Sequence, residues 1–243
     1  MRNFTKSLSF SLFSYCVFLI SFFAITGCGQ KTEEAAVVGD VFGGGIVFYI
    51  LQPDDSGYVE GETHGLIASK QDIAYSDVYS GDPDTGDPSY SDSMRSEDNE
   101  EGFVRFFRWS TSNEDSTSPH YAHKSVPETS TALGTGAANT AGILAVYPKG
   151  IYKYSAAAMC DSYESEGYTD WYLSSKEELH MLYENRDAVG GFAVNVDVDY
   201  WSDFYWSSSE GSDGDAWSQN FVDGFQYNYY KDYFDRVRAV RAF

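Results

Sequence analysis

The hydrophobic positions of this chain fall into short runs separated by long polar stretches, a pattern typical of a domain built from brief strands and helices. The longest run, Leu8 to Ala24, contains no charged residue. A second run, Ile46 to Leu51, follows a glycine-rich turn and predicts a buried β-strand. His64 to Ser69 predicts its partner, and the turn-forming residues between the two favour a hairpin. Asp170 to Leu173 predicts another short buried strand.

Helical patterns begin in the second half of the chain. Thr140 to Val146 and Tyr154 to Tyr163 are rich in alanine, which favours short helices. A third helix is predicted over Lys176 to Arg186, because Ser175 and Glu178 form the S-x-x-E capping box at its start. The apolar face of this helix consists of Leu179, Leu182 and Tyr183.

The polar stretches are interpreted as surface loops. Residues 79–101 are rich in Asp, Ser, Gly and Pro and form an acidic insertion. Three of its aspartates could chelate calcium, but their spacing departs from the EF-hand pattern, which favours a solvated loop. Trp109 is predicted to fill the core from a short segment that follows. His120 and His123 lie in the next polar loop without a third ligand, so no metal site is predicted.

The N-terminus has the organisation of an export signal. Two basic residues precede the apolar run Leu8 to Ala24, and Ile25 to Cys28 then looks like the lipobox of bacterial lipoproteins. Residues 1–27 are therefore predicted to be a lipoprotein signal peptide, Cys28 the lipidated residue, and residues 28–38 a tether. The alternative is a plain transmembrane anchor, since the run is nearly long enough to span a bilayer.

The net charge of the chain limits the classes of partner that it can bind. There are 16 basic and 37 acidic residues, a net charge of −21. Residues 1–27 contain two basic residues and no acidic one, so cleavage leaves −23. Nucleic acid and anionic membrane surfaces would repel such a chain, which suits an exposed domain in the bacterial cell envelope, at the outer membrane or cell surface. The predicted membrane contact is the lipid on Cys28.

After signal-peptide cleavage and lipidation, Cys160 is expected to be the one free thiol of the mature chain. Cleavage removes Cys16 and lipidation occupies Cys28, so Cys160 cannot form an intramolecular disulfide. Because Cys160 follows an alanine-rich stretch, it is interpreted as a small buried hydrophobe. The sharper alternative is a catalytic nucleophile, but no histidine lies in a recognisable partner motif.

The last forty residues alternate between two classes of position, which we call the frame positions and the variable positions. The frame positions are Trp206, Glu210, Trp217, Gln219, Phe221, Gly224, Gln226, Lys231 and the closing RVRAVRAF (236–243). The variable positions are Gly211, Ser212, Asp213, Gly214, Asp215, Ser218, Val222, Asp223, Phe225, Tyr227, Asn228, Tyr229, Tyr230, Asp232, Tyr233, Phe234 and Asp235. Tyr and Asp mixed with Gly make a poor core but a good contact surface, so these residues are the candidate ligand-binding site. The alternative is an aromatic edge hairpin with no ligand.

Several motifs give the chain a family resemblance. They are GGGIVFYI, HGLIAS, TALGTGAANTAGI, GYTDWYLSSKEELHMLYEN, the segment Phe204 to Glu210, and RVRAVRAF. In this order they resemble the C-terminal domain of a Legionella collagen-like adhesin and its relatives. They are also similar to the variable proteins of diversity-generating retroelements. The resemblance covers residues 39–243 and includes the variable region, residues 203–243.

The resemblance implies an α+β, C-type-lectin-like fold, related to that of formylglycine-generating enzymes, with short antiparallel sheets and a few helices. In such proteins the C-terminal strands and loops display a solvent-facing ligand site. One departure is Ser174, where relatives usually have Leu-Pro before the helix start. The departure puts the rigidity of that turn in doubt.

In retroelement systems, adenines of a template are randomised, most often in AAC codons for Asn. This chemistry cannot produce Trp, Met, Gln, Lys or Glu. Every variable position holds a residue that it can produce, and Asn228 would be an unchanged target. The forbidden types of this stretch occur only at frame positions.

Three classes of function fit the sequence to different extents. The first is a receptor or adhesin that binds a protein or glycan on another cell, a host or a phage, through a diversified surface. The second is an adhesin of the same fold that binds glycans without diversification, although the acidic charge argues against polyanions. The third, an enzyme, is disfavoured because the chain carries no recognisable catalytic motif. No cofactor is predicted.

Overall fold

The computed structural model describes residues 35–78, 106–110, 124–149, 154–192 and 203–243. The predicted signal peptide, Cys28, the acidic insertion, His120 and His123 lie outside the described residues. In the part of the chain that is described, no helix has the length and apolar character needed to cross a membrane.

The described residues have a mixed α/β composition, with short antiparallel strands and a few helices, as predicted. The strands are β1 (Val41–Phe42), β2 (Gly45–Ile50), β3 (Gly65–Ala68), β4 (Phe107–Arg108), β5 (Tyr172–Leu173), β6 (Phe204–Glu210), β7 (Asp215–Asn220), β8 (Gln226–Tyr230), β9 (Phe234–Asp235) and β10 (Ala239–Ala242). The helices are α1 (Tyr75–Val78), α2 (Gly136–Val146), α3 (Ala156–Ser162), α4 (Lys176–Glu184) and α5 (Arg186–Val189).

A five-stranded sheet with the order β1-β2-β3-β10-β5 forms one layer of the structure. The predicted hairpin is present, with Ile46 of β2 opposite Ala68 of β3. The two backbones approach so closely that a Cβ atom on Gly45 would lie 2.1 Å from the main-chain oxygen of Ala68. Only glycine fits there, which explains the glycine-rich entry to β2.

Most of the C-terminal RVRAVRAF segment is buried, and its strand β10 pairs with β3 on one side and β5 on the other. Its arginines are tied to distant parts of the chain. Arg241 makes a bidentate pair with Asp170, at 2.8 and 2.9 Å. Arg238 donates to the carbonyls of Ser69 and Gly190. These long-range bonds account for the segment's role as a frame.

The helix predicted after Ser175 is α4, and its capping box is present. The Ser175 hydroxyl accepts from the amide of Glu178, and the Glu178 carboxylate accepts from the amide of Ser175. The helix ends at Glu184, two residues before the predicted end, because Asn185 leaves the helical conformation. The alanine-rich helices also differ at their ends, with α2 beginning four residues earlier than predicted.

The core contains the side chains that the sequence placed there. Trp109 is fully buried, and its indole nitrogen donates to the carbonyl of Ser207 at 2.8 Å. Cys160 is fully buried within α3, and burial raises the pKa of its thiol. The prediction that Cys160 is a small buried hydrophobe is therefore confirmed.

Candidate ligand-binding surface

The variable positions are concentrated on a separate three-stranded sheet with the order β6-β7-β8. β6 is almost entirely buried, whereas β8 has no buried residue and exposes Tyr227 and Tyr230. In the β7–β8 register Asp215 lies opposite Tyr230, and Ser218 lies opposite Tyr227. The sheet thus runs from a buried strand to an edge strand that carries tyrosines.

A buried ion pair holds the loop between β6 and β7. Lys231 and Glu210 form this pair, and the Lys231 side chain is completely buried. Its ammonium also donates to the main-chain carbonyl of Asp213 at 2.8 Å. Burial lowers the pKa of Lys231, and the Glu210 carboxylate opposes that shift. A buried charge needs such a partner, so both frame residues are structural.

Glu210 also fixes a neighbouring loop. Its carboxylate accepts from the amide of Val126 at 3.0 Å, and its own amide donates to the hydroxyl of Thr129 at 3.1 Å. A cavity of about 260 Å³ lies between this loop and the loop of variable positions. Ser212 and Asp213 line that cavity, so its shape depends on variable residues.

Frame residues also support the turn between β7 and β8. Gly224 has φ +80, a left-handed conformation that glycine adopts without strain. The Gln219 amide lies 3.1 Å from the Gly224 carbonyl and 3.1 Å from the His180 ring. The Gln226 amide reaches the Lys176 carbonyl on α4. Contacts with His180 and Lys176 of α4 therefore hold the turn in place, and within the turn Val222 is half-buried and Asp223 is exposed.

Five variable side chains form a continuous surface that we call the aromatic patch. Its members are Phe225, Tyr227, Tyr229, Tyr230 and Tyr233. Successive ring centres lie 6.0 Å apart from Phe225 to Tyr227 and 5.4 Å from Tyr227 to Tyr229. Tyr233 lies 4.2 Å from Tyr229 and 5.9 Å from Tyr230. Phe225 is 54% exposed, and Tyr227, Tyr230 and Tyr233 are each at least 40% exposed.

Tyr229 anchors the aromatic patch to the interior. It is partly buried and packs against the core. Burial, and then a hydrogen bond with Tyr233, raise the pKa of its hydroxyl. The neighbouring Phe234 is half-buried, with the Arg108 guanidinium 4.8 Å from its ring centre. Tyr229 thus attaches the aromatic patch to the core, while Phe225 and Tyr233 are exposed to solvent.

The variable positions divide into three groups by exposure. Those exposed are Gly211, Ser212, Asp213, Asp223, Phe225, Tyr227, Tyr230 and Tyr233. Those half-buried are Gly214, Asp215, Val222, Asn228, Tyr229, Asp232 and Phe234. Those buried are Ser218 and Asp235.

The expectation that all variable side chains face solvent is wrong for Ser218 and Asp235. Ser218 points to the same side of β7 as Ala216, which is fully buried, because alternate residues of a strand share a face. Asp235 lies on β9, opposite the buried Phe107. Burial raises the pKa of Asp235 to about 8, and the nearby Ser218 hydroxyl opposes this shift. Neither side chain can contact a ligand directly.

Sequence reasoning missed the role of Ser207, Ser208 and Ser209, which are fully or almost fully buried on β6. Ser208 donates its hydroxyl to the Ser174 carbonyl, and its amide donates to the same carbonyl at 2.7 Å. The Ser209 hydroxyl accepts from the amide of Lys176 at 3.0 Å. These contacts hold the turn at Ser174, so the turn is fixed without the usual proline. Three serines in a row within an apolar strand were the available signal.

The described residues contain no group of three or more His, Cys, Asp or Glu side chains placed to hold a metal ion. The chemistry of the surface is therefore that of tyrosine rings, carboxylates and a main-chain edge. Such a surface is suited to non-covalent contact.

A family model described as the Lcl C-terminal domain matches residues 107–241. The matched segment begins at β4 and reaches into β10, so it includes every variable position and the strands that support them. No curated protein matches the chain.

Proposed function

Because the chain belongs to the Lcl C-terminal domain family, we propose that it is a lipid-anchored surface protein that binds a protein or glycan ligand through its variable positions. The family, which the motifs already indicated, is that of an adhesin-like surface protein. The finer parts of the proposal are the lipid on Cys28, the C-type-lectin-like fold, ligand binding and diversification by a retroelement.

The observation that carries the proposal is the exposure of the aromatic patch. Large aromatic side chains exposed side by side are uncommon on a monomer and are typical of interaction surfaces. Here Tyr229 packs against the core and contacts the rings of Tyr227 and Tyr233, so the rings are positioned before a ligand arrives. Pre-ordering lowers the entropic cost of binding, which favours a recognition surface.

Diversification is supported by which residues are buried. Six residues of this stretch are of types that a retroelement cannot produce; Trp206, Gln219 and Lys231 are fully buried, and Glu210, Trp217 and Gln226 are half-buried. Exposed variable positions can change without disturbing these contacts. Ser218 and Asp235 are the exceptions, and we propose that only small or neutral residues are accepted at those two sites.

We propose that the protein is not an enzyme. The thiol of Cys160 is buried, and the raised pKa keeps it protonated. We likewise propose that nucleic acid is not a partner, because the net charge of −21 repels phosphates.

The proposal is tested by reverting four exposed positions to Asn. The variant Phe225→Asn/Tyr227→Asn/Tyr230→Asn/Tyr233→Asn removes the exposed rings of the aromatic patch. The matched control is Tyr168→Asn, since Tyr168 is also 40% exposed but lies outside the patch. Fluorescent full chains are measured for binding to a panel of intact bacterial cells, host cells and phage particles.

We expect the original chain and the control to bind the same panel member. The fourfold variant should lose about ten-fold or more in affinity, because aromatic side chains dominate most interfaces. Equal binding by all three would reject the patch as the contact site.

Diversification is tested separately, in the DNA that flanks the gene. A reverse transcriptase and a near-repeat of codons 200 to 243 rich in AAC are expected there, and their absence would leave an undiversified adhesin.

A further inference from the structure

The structure indicates what kind of ligand the aromatic patch accepts, and this inference rests on the proposed function. We infer that the patch binds an extended, basic polypeptide segment, which pairs with the open edge of β8 as an added strand. Two independent observations carry the inference, the hydrogen-bonding edge of β8 and the charge around the patch.

The first observation concerns the main chain of β8. The amide of Asn220 donates to the Phe225 carbonyl, and the amide of Lys231 donates to the Gly214 carbonyl, each at 2.9 Å. Antiparallel pairing alternates residue by residue, so Tyr227 and Tyr229 also direct their main-chain groups toward β7. The main-chain groups of Gln226 and Asn228 then point to the opposite edge. Among the described residues, β8 has no strand on that side.

An open strand edge of this kind is a template for another chain. A peptide that adds to a sheet gains main-chain hydrogen bonds, which a glycan cannot supply in the same register. The register also places tyrosines on both faces of β8. Tyr227 lies on the face of Ser218, and Tyr230 lies on the face of Asp215. An added strand would therefore have an aromatic ring beside each of its two faces.

The second observation is the sign of the charge. Residues 211–235 contain five acidic residues and one basic residue. The basic residue is Lys231, which is completely buried and paired with Glu210. Of the acidic residues, Asp213 and Asp223 are exposed. The ligand-facing surface therefore carries negative charge beside tyrosine rings.

Two further cationic side chains lie near residues 211–235, and each makes a cation–π contact with an aromatic ring of this chain. The Lys176 ammonium lies 4.0 Å from the Trp217 ring centre, and the Arg108 guanidinium contacts Phe234. Both contacts illustrate the local chemistry, because an aromatic face attracts a cation. Arg and Lys side chains of a ligand could use the exposed tyrosines in the same way. Sulfated glycans, by contrast, would meet like charge.

The test uses four probes and the full-length chain. The first probe is an eight-residue peptide of alternating Arg and Thr, because Thr favours an extended chain. The second is the same peptide with alternate amides N-methylated, which keeps its charge but removes the donors of one edge. The third replaces Arg with Glu, and the fourth is a heparin oligosaccharide. Binding is measured by fluorescence anisotropy at low and high ionic strength.

We expect the Arg/Thr peptide to bind and to weaken as salt rises. N-methylation and the variant Tyr227→Ala/Tyr230→Ala should each weaken binding by about ten-fold or more, as loss of a main-chain ladder or of aromatic anchors predicts. Tyr168→Ala should leave it unchanged. The inference is overturned if the Arg/Thr peptide does not bind, if N-methylation has no effect, or if the Glu peptide or heparin binds as tightly.

The inference and the proposed function fail in different ways. If the Arg/Thr peptide does not bind but the fourfold Asn variant still loses cell binding, the patch is a binding surface for another class of ligand. If the fourfold variant keeps full cell binding, the proposed function itself is wrong.

Discussion

At the scale of single residues, Asp235 decides how the protein should respond to pH. Its carboxyl group is buried, and one of its oxygens has no hydrogen-bond partner among the described residues. Burial raises its pKa to about 8, well above the ordinary value of 3.8. The folded state therefore keeps a proton on Asp235 over a range of pH where the unfolded chain has lost it.

We predict that this proton makes the protein less stable as pH rises. Below pH 3.8 both states hold the proton and the effect is absent; from there to about 8 the folded state binds one proton more. The free energy of unfolding should fall across that window by up to about 1.4 kcal/mol per pH unit. Asp235→Asn keeps a neutral side chain of the same shape and should remove this part of the slope. Urea unfolding at a series of pH values checks it, and parallel slopes for both proteins would contradict it.

Lys231 illustrates what single residues do and do not disclose in a sequence. The alternation of the last forty residues marked it as a frame position, and Lys is also a type that randomised Asn codons cannot produce. Nothing in the sequence indicated that its ammonium is buried against Glu210, because the two residues are 21 positions apart and meet only through the sheet. The burial of Ser218 was hidden for the same reason, since β7 could have faced either way until its pairing with β8 was known.

At the scale of elements, α4 is the part of the fold that local signals predicted best. The capping box requires only neighbouring residues, so Ser175 and Glu178 were sufficient to place its start. Its tertiary role was not visible locally. The Glu178 carboxylate also accepts from the amide of Gly134 at 3.0 Å, which joins α4 to the loop before α2. Burial raises the pKa of Glu178, and the surrounding amides oppose the shift.

We predict that Glu178→Ala destabilises the protein far more than an ordinary helix-cap variant. It removes the cap and leaves the amides of Ser175 and Gly134 without their acceptor, which should cost about 2–4 kcal/mol. The matched control is Glu177→Ala, a neighbouring acid of the same first turn. Its loss should cost less than about 1 kcal/mol, because only the helix-dipole interaction is removed. Chemical unfolding measures both, and equal costs would show that the contact with Gly134 is unimportant.

At the scale of the whole molecule, the exposed variable positions and the buried frame positions differ in how much of the fold depends on them. Half of the exposed variable side chains belong to the aromatic patch, whereas the frame is joined to β3, β4, β5 and α4 by long-range contacts. The RVRAVRAF ending is part of the central sheet. The fold should therefore be insensitive to the patch and sensitive to the frame.

We predict that substitutions follow burial and not residue class. Tyr227→Asn and Tyr233→Asn should each lower the free energy of unfolding by less than about 1 kcal/mol, because each ring is 40% exposed and its ring contacts are with other members of the aromatic patch. Ser218→Tyr should cost about 1–3 kcal/mol or more, because a ring must be forced into a filled space. Thermal and urea unfolding of the three variants test this, and a neutral Ser218→Tyr would mean that β7 can turn that face outward.

The sequence was sufficient to predict the family, the elements β2 and α4, and the exposure of Phe225, Tyr227, Tyr230 and Tyr233. Hydrophobic runs and caps depend on nearby residues, so they can be identified without the fold. The order of strands in the sheets, the burial of Asp235 and the serine contacts of β6 depend on residues brought together from distant parts of the chain. These features required the structure.

The bond from the Lys231 ammonium to the carbonyl of Asp213 has a practical consequence. Every amino acid supplies the same main-chain carbonyl, so this hydrogen bond does not depend on which side chain occupies position 213. Lys231 can therefore hold the loop between β6 and β7 in place when its side chains change. Foreign recognition sequences grafted at residues 212 and 213 should keep this hydrogen bond, so the loop is a suitable place to build new binding surfaces, whereas Gly211 must stay because a Cβ there would lie 1.9 Å from the Asn228 side chain.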